Sequence, residues 1–272
     1  MRQSLLKASL AAFAFAGASA ASAAPIANWD YIVTSSFSTV GGDTSFNGSG
    51  GCQQVTGTAI TWGACPSGPA VLGGSRSGIG ITNSPRSGTL TTDGAASLAN
   101  TYTHTNNPLD GSFGTLTSAK IVSTIQLRRQ GSTGAYASFS ESYTIKFAET
   151  PNTTPCAAAS PAGNPCNDIW VLVGSLNNSF TLDGYQYFFQ FYAAPRLEEL
   201  SSAACTAAGA GAGCIGFTTI EGRANLANFA MEITSREITV PGQVPEPASI
   251  ALLGAGLLGL AGVRARRQHN KA

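Results

Sequence analysis

Apolar and polar residues alternate along most of this chain with the period of a half-buried β-strand. From Trp29 to Val40, aromatic and β-branched residues exchange with hydroxyl residues, and Val55 to Trp62 and Leu98 to Thr105 read in the same way. Leu116 to Leu127 sets Ile121, Ile125 and Leu127 on one face, and Phe139 to Phe147 does the same for Tyr143, Ile145 and Phe147. Ile169 to Val173 is a continuous apolar run, which suits a central strand covered on both faces. Asp183-Gly184 predicts a tight turn into Tyr185 to Tyr192, the most aromatic segment, and Phe217 to Ile220 and Phe229 to Val240 supply the last strands. Gly41 to Gly51 is a glycine-rich turn region, and residues 66–88 read as a long loop or weak edge strands. One helix is expected, over Pro195 to Ser202, with proline in its first turn and Glu198 and Glu199 near its positive end. Many short strands and almost no helix predict an all-β chain: an antiparallel β-sandwich, with a jelly roll as one variant of it.

Both ends break this alternation. Arg2 and Lys7 precede an apolar stretch from Leu5 to Gly17, and Ala18-Ser19-Ala20 and Ala21-Ser22-Ala23 offer small-residue cleavage sites, so residues 1–23 read as a secretory signal peptide. At the other end, Val244-Pro245-Glu246-Pro247 leads into an uncharged run from Ala248 to Val263 and then Arg264, Arg266, Arg267 and Lys271. Two prolines around a glutamate hold the backbone extended and remove two amide donors, which leaves the peptide open to a protease. The apolar run is shorter than the roughly 20 residues of a comfortable membrane span, and snorkelling basic side chains close part of that gap. Arginines after the run keep its end in the cytoplasm. The expected organisation is therefore a signal peptide (1–23), an exported β-sandwich domain (24–243) and a sorting tail (244–272).

This tail resembles the PEP-CTERM sorting signal of Gram-negative bacteria, down to the literal Pro245-Glu246-Pro247 and the closing Arg264, Arg266 and Arg267. The resemblance implies an exosortase-type membrane protease as partner, a transmembrane helix before processing, and delivery to the cell surface or extracellular matrix. Thr103, His104 and Asn106 also form the Thr-His-x-Asn tetrapeptide that names one group of PEP-CTERM proteins, the THxN group, and the chain resembles that group.

Composition narrows the function classes. Of 15 basic and 14 acidic residues, six basic and one acidic residue lie in the two end segments, so the part between them carries a net charge of about −4. That is a poor match for nucleic acid, which needs a basic face. Cys52, Cys65, Cys156, Cys166, Cys205 and Cys214 fall into three local couples, and export favours disulfides. Pairing of neighbours is preferred because each couple brackets a Gly-, Pro- or Ala-rich loop with little apolar content, and closing each should contribute roughly 2–3 kcal/mol. The short Cys spacings of a zinc site are absent.

Candidate chemistry is sparse. His104 is the one histidine between the two end segments; at the end of a strand it can brace a loop, with Asn106 capping the turn. A metal role would need carboxylates to complete the site, and a hydrolase role would need a nucleophile elbow, whereas no Gly-x-Ser-x-Gly occurs. Asp93-Gly94, Asp110-Gly111 and Asp183-Gly184 read as turns rather than calcium loops. Glu198 and Glu199 are adjacent and so do not form a glycosidase pair. The aromatic segment suits either a buried layer or a sugar-stacking surface. No catalytic residue, metal ligand or cofactor is expected. The function expected is structural or adhesive, in the envelope or a biofilm matrix; a carbohydrate-binding module acting on exopolysaccharide is the alternative and a His104 hydrolase the third.

Overall fold

The computed structural model describes residues 24–66, 76–159, 161–162, 166–174, 177–194 and 197–238. The expected signal peptide, the Pro-Glu-Pro motif and the apolar helix lie outside them. Among the described residues no helix is long and apolar enough to cross a membrane.

Residues Pro25–Glu237 form one unit made of fifteen strands and one short helix: β1 (Asn28–Phe37), β2 (Thr44–Phe46), β3 (Gln54–Val55), β4 (Ala59–Gly63), β5 (Arg76–Thr82), β6 (Arg86–Thr91), β7 (Ser97–Asn106), β8 (Leu116–Arg129), β9 (Ala137–Ala148), β10 (Asp168–Val173), β11 (Asn178–Leu182), β12 (Tyr185–Ala194), β13 (Glu198–Glu199), α1 (Ser202–Ala207), β14 (Ile215–Thr219) and β15 (Arg223–Glu237). One antiparallel sheet runs β13-β14-β10-β9-β8-β1-β6, with β2 also on β8, and the other runs β11-β12-β15-β7-β5-β4-β3. The architecture is all-β, two curled antiparallel sheets consistent with a β-sandwich. Alternation does the work: β1 turns Trp29, Tyr31, Val33 and Phe37 inward, β9 turns in Tyr143, Ile145 and Phe147, and β12 turns in Tyr187 and Phe189, all nearly inaccessible to solvent. They meet in one continuous apolar core between the sheets.

The structure departs from the expected elements in several places; the glycine-rich region 41–51 contains the short strand β2, and β11, which was not expected, precedes the Asp183-Gly184 turn. Residues 76–82, read as loop or edge, form β5 in the interior of the second sheet, between β4 and β7. Its polar content is hidden because Arg76, 4% exposed, donates to the carbonyls of Cys52 and Ala64 and to Thr61 Oγ1. The run from Val55 to Trp62 is a hairpin, turned at Thr56 to Thr58 by the Thr56 hydroxyl, which accepts from Ala59 N at 2.9 Å. The helix expected over Pro195 to Ser202 is absent from residues 197–201, the described part of that segment before Ser202. Glu198 and Glu199 pair with β14 instead, and the helix starts at Ser202, where Ser201 caps it by accepting from Ala204 N and alanines favour helix.

Disulfides join Cys52 to Cys65, Cys156 to Cys166 and Cys205 to Cys214. The third fastens α1 to β14. Ala204 and Ala208 then cover Ile169 and Val171 on the outer face of β10, so β10 is apolar on both faces because both are covered.

Candidate functional site

Three strands that supply rings to the core carry an acidic residue near their ends, two positions further along the inward face. Glu149 follows Phe147 of β9, Asp168 precedes Trp170 of β10, and Glu221 lies two residues beyond Thr219 of β14. The strand order then collects them. Asp168 lies opposite Thr219 of β14, and the register that puts Ile169 opposite Ala148 brings Asp168 beside Glu149. Beyond Thr219 the chain crosses to the other sheet through a corner in which Gly222 takes φ +72°, a conformation that favours glycine. Asn225 fixes that corner by accepting from Ile220 N and donating to Ile220 O at 2.9 and 2.8 Å. One carboxylate oxygen from each of Glu149, Asp168 and Glu221 lies within 4.8 Å of the others.

These groups are poorly compensated. Asp168 is fully buried and Glu221 5% exposed, while Glu149 is half-buried. Trp62 Nε1 donates to Glu149 Oε2 at 3.0 Å, and Thr150 N donates to Asp168 Oδ1 at 2.8 Å. No well-formed hydrogen bond reaches Glu149 Oε1, Asp168 Oδ2 or either Glu221 oxygen, although the Asn152 side chain and the Gly222 amide lie close enough to Glu221 to favour its ionised form. The ion pairs among the described residues, Lys120–Asp43, Arg128–Asp30 and Arg129–Asp183, lie elsewhere. Burial, reinforced by repulsion from Glu221, pushes the Glu149 carboxyl up to about 8. Burial and the Glu149 charge hold Asp168 well above the carboxylate range, and burial raises Glu221. Grouping like charges in a desolvated place disfavours ionisation unless a cation is present.

The Thr-His-x-Asn residues face this cluster from the other sheet. His104 and Asn106 are 2% and 0% exposed and point inward from β7, while Thr103 is half-buried on the outer face. His104 Nδ1 lies 2.9 Å from Thr219 Oγ1, and Asn106 Nδ2 donates to Thr219 O at 3.4 Å. The pair thus braces the two sheets at the residue opposite Asp168, not a turn within one loop. The turn after Asn106 is held by Asn107, whose amide donates to Arg76 O. His104 stacks on Trp62 with centroids 5.8 Å apart, meets Phe147 edge-on at 5.1 Å and lies tilted against Trp170 at 6.0 Å. Burial lowers its pKa to about 3, so it is neutral at any ordinary pH. Asn106 Oδ1 accepts no hydrogen bond.

The remaining candidates separate cleanly. Asp93 accepts from Ser235 N and Oγ, Asp110 accepts from Ser112 N, and Asp183 meets Arg129 at 2.6 Å; each is a turn residue. Glu198 and Glu199 are exposed. In β12, Tyr187 and Phe189 are core, whereas Phe188 and Tyr192 are half-buried on the outer face, with the Arg236 guanidinium 5.6 Å from the Phe188 ring. Two hollows between the sheets, lined by described residues, hold about 20 and 10 Å³, room for about one water each. Pro245, Glu246, Pro247, Arg264, Arg266 and Arg267 lie outside the described residues.

Sequence reasoning did not single out Glu149, Asp168 and Glu221. The signal that could have found them was the alternation itself, carried one step past each apolar run.

In comparison with known proteins, the model of the PEP-CTERM protein-sorting motif matches residues 243–267. No curated protein matches the chain.

Proposed function

We propose that this PEP-CTERM protein, exported and sorted through exosortase, serves as a structural or adhesive component of the cell surface or extracellular matrix rather than as an enzyme. The sorting motif is the observation that carries the reading. The sandwich supports it: its interior is filled by rings, and His104, the one histidine between the end segments, is enclosed among Trp62, Phe147 and Trp170 and held neutral by burial. A base so placed has no approach for a substrate. Three disulfides over the loops suit a protein that persists outside the cell. Membership of the THxN group belongs to the same reading and rests on Thr103, His104 and Asn106. The test is a chromosomal deletion complemented by the full chain. Protein recovered from the surface and matrix fractions, with weakened matrix cohesion in the deletion strain, is expected; a strain that coheres and attaches as before overturns the role.

A second reading, binding of exopolysaccharide, is favoured by the outer-face rings Phe188 and Tyr192 on β12. Glycan-array binding that is lost in Tyr192→Ala would select it over the first.

A further inference from the structure

The acidic cluster is only partly answered by the polypeptide. Side-chain oxygens at this end of the sandwich lack a well-formed hydrogen bond: Glu149 Oε1, Asp168 Oδ2, Glu221 Oε1 and Oε2, and the amide oxygens of Asn106 and the half-buried Asn152, with Glu221 approached only by the Asn152 side chain and the Gly222 amide. Their origins are independent. The carboxylates come from one sheet and the loops that extend it, and the amide of Asn152 lies against Glu221. Asn106 comes from the opposite sheet, is 0% exposed, and is oriented by the bond from its Nδ2 to Thr219 O. That bond turns the nitrogen toward Thr219, the residue opposite Asp168, and leaves Oδ1 unanswered. A buried acceptor without a donor is costly, and the three carboxylates that close within 4.8 Å of one another come from three separate segments.

We propose that Glu149, Asp168 and Glu221, with the amide oxygens of Asn106 and Asn152, form a binding site for one calcium ion that ties the two sheets together at this end of the sandwich.

The donor set selects the ion. All six atoms are oxygens, and neither cysteine nor histidine belongs to the group that closes within 4.8 Å, so the site suits a hard cation and not zinc or copper. Calcium takes six to eight oxygens at about 2.3–2.6 Å, so two ligands on opposite sides of it stand up to about 5 Å apart. Carboxylate oxygens within 4.8 Å of one another fit around that sphere. Magnesium draws its ligands to about 2.0–2.1 Å and keeps several waters, which a cage of protein oxygens serves poorly. Two positive charges set against three carboxylates replace repulsion by attraction, and the half-buried Glu149 provides the side from which the ion enters. The Thr-His-x-Asn residues acquire a purpose as well: His104 and Asn106 hold Thr219, which fixes the corner bearing Glu221.

The experiment uses the full chain, stripped with chelator and titrated with CaCl2 alone by calorimetry, with thermal unfolding measured in parallel. One ion per chain is expected, with a dissociation constant in the range of extracellular modules, about 10⁻⁴–10⁻³ M. At a hundredfold excess the melting temperature should rise by about 5–10 °C, and MgCl2 at equal concentration should give less. Asp168→Asn and Glu221→Gln keep shape and should each abolish the calcium-dependent rise while leaving a folded protein in chelator. No binding up to about 10 mM calcium overturns the site, since protons would then satisfy the carboxylates. Stoichiometric binding that persists unchanged in both variants overturns it too, by placing the ion elsewhere. Neither result bears on matrix location, which the deletion strain reads separately.

Discussion

The two ends of the sandwich interior solve the same packing problem in opposite ways. At one end Trp29 meets Phe180 and Tyr187 edge-on at 5.6 and 5.1 Å, and Phe139 stacks on Phe180 at 4.9 Å. Each polar handle there is answered: Trp29 Nε1 donates to Thr92 Oγ1, and the Tyr187 hydroxyl accepts from Ile26 N. At the other end rings are equally dense around His104, yet no well-formed hydrogen bond reaches His104 Nε2, Trp170 Nε1, Glu149 Oε1, Asp168 Oδ2 or the Glu221 oxygens. The same long strand serves both, since β15 pairs Arg223 with Asn106 at one end and Ser235 with Tyr187 at the other. The first end is complete as a polypeptide, and the second is complete with a cation. Stability should therefore be insensitive to solution conditions at one end and governed by them at the other.

The largest expected effect breaks the complete end. Phe189→Ala removes a ring that is 0% exposed and should cost about 3–5 kcal/mol, measured as a shift in urea midpoint. That loss should be the same with calcium or with chelator. A loss that changes with calcium would mean the ends are coupled and the contrast false. Opening the third disulfide with Cys205→Ser and Cys214→Ser should cost less, about 2–3 kcal/mol. The effect should be local, because this bridge fastens α1 over Ile169 and Val171, the back of the strand that carries Asp168. Hydrogen exchange should quicken in β10 and β14 and hardly change in β12.

A pH profile then sharpens the contrast by sign. His104 has a folded pKa of about 3 against an unfolded 6.5, so the unfolded chain holds more protons between those values. Its contribution is complete above pH 6.5 and is lost as pH falls toward 3, with a slope of at most about 1.4 kcal/mol per unit. Glu149 runs the other way. Its folded pKa of about 8 lies above the 4.5 of an ordinary glutamate, so the folded chain holds more protons there and metal-free stability falls as pH rises from 4.5 to 8. Asp168 and Glu221, also raised by burial, add to the Glu149 slope; His104 opposes it only between 4.5 and 6.5, leaving a falling limb above 6.5 in chelator. Calcium should abolish that limb, and denaturant titrations at pH 6.5 and 8 with and without calcium measure it. His104→Leu should lose the rising limb at low pH while keeping the calcium-sensitive one.

How far the residues alone foretold this follows from the kind of information each feature needs. Period-two alternation is local, so Leu116 to Leu127, Phe139 to Phe147 and Tyr185 to Tyr192 announced β8, β9 and β12. The segment 76–82 was illegible because its burial depends on Arg76 finding the carbonyls of Cys52 and Ala64, which are distant in sequence. The helix was misplaced because proline and two glutamates imitate a helix start, while the strand pairing of Glu198 and Glu199 with β14 is long-range. The site fell between. That Glu149, Asp168 and Glu221 continue an inward face can be read from spacing, but that their strands β9, β10 and β14 are neighbours cannot. His104 was visible as a residue of interest and its partner Thr219, across the sandwich, was not.

The smallest effect asks whether charge alone makes the acidic end special. Asp183 and Arg129 form an ion pair at 2.6 Å with side chains 45% and 59% exposed, in the turn that starts the aromatic strand. Water already solvates both charges, so the pair should contribute under about 1 kcal/mol. Asp183 also adopts φ +50°, which Asn tolerates as well as Asp, so Asp183→Asn removes the charge without straining the turn. The variant should lose at most that amount, and the difference from wild type should shrink in about 0.5 M salt, where screening acts over a few ångströms. Calcium should leave the difference untouched. If Asp183→Asn proved as calcium-sensitive as Asp168→Asn, general surface charge would explain the ion's effect. If it does not, the distinction lies in burial: a carboxylate in water needs no partner, and three carboxylates between two sheets need one ion.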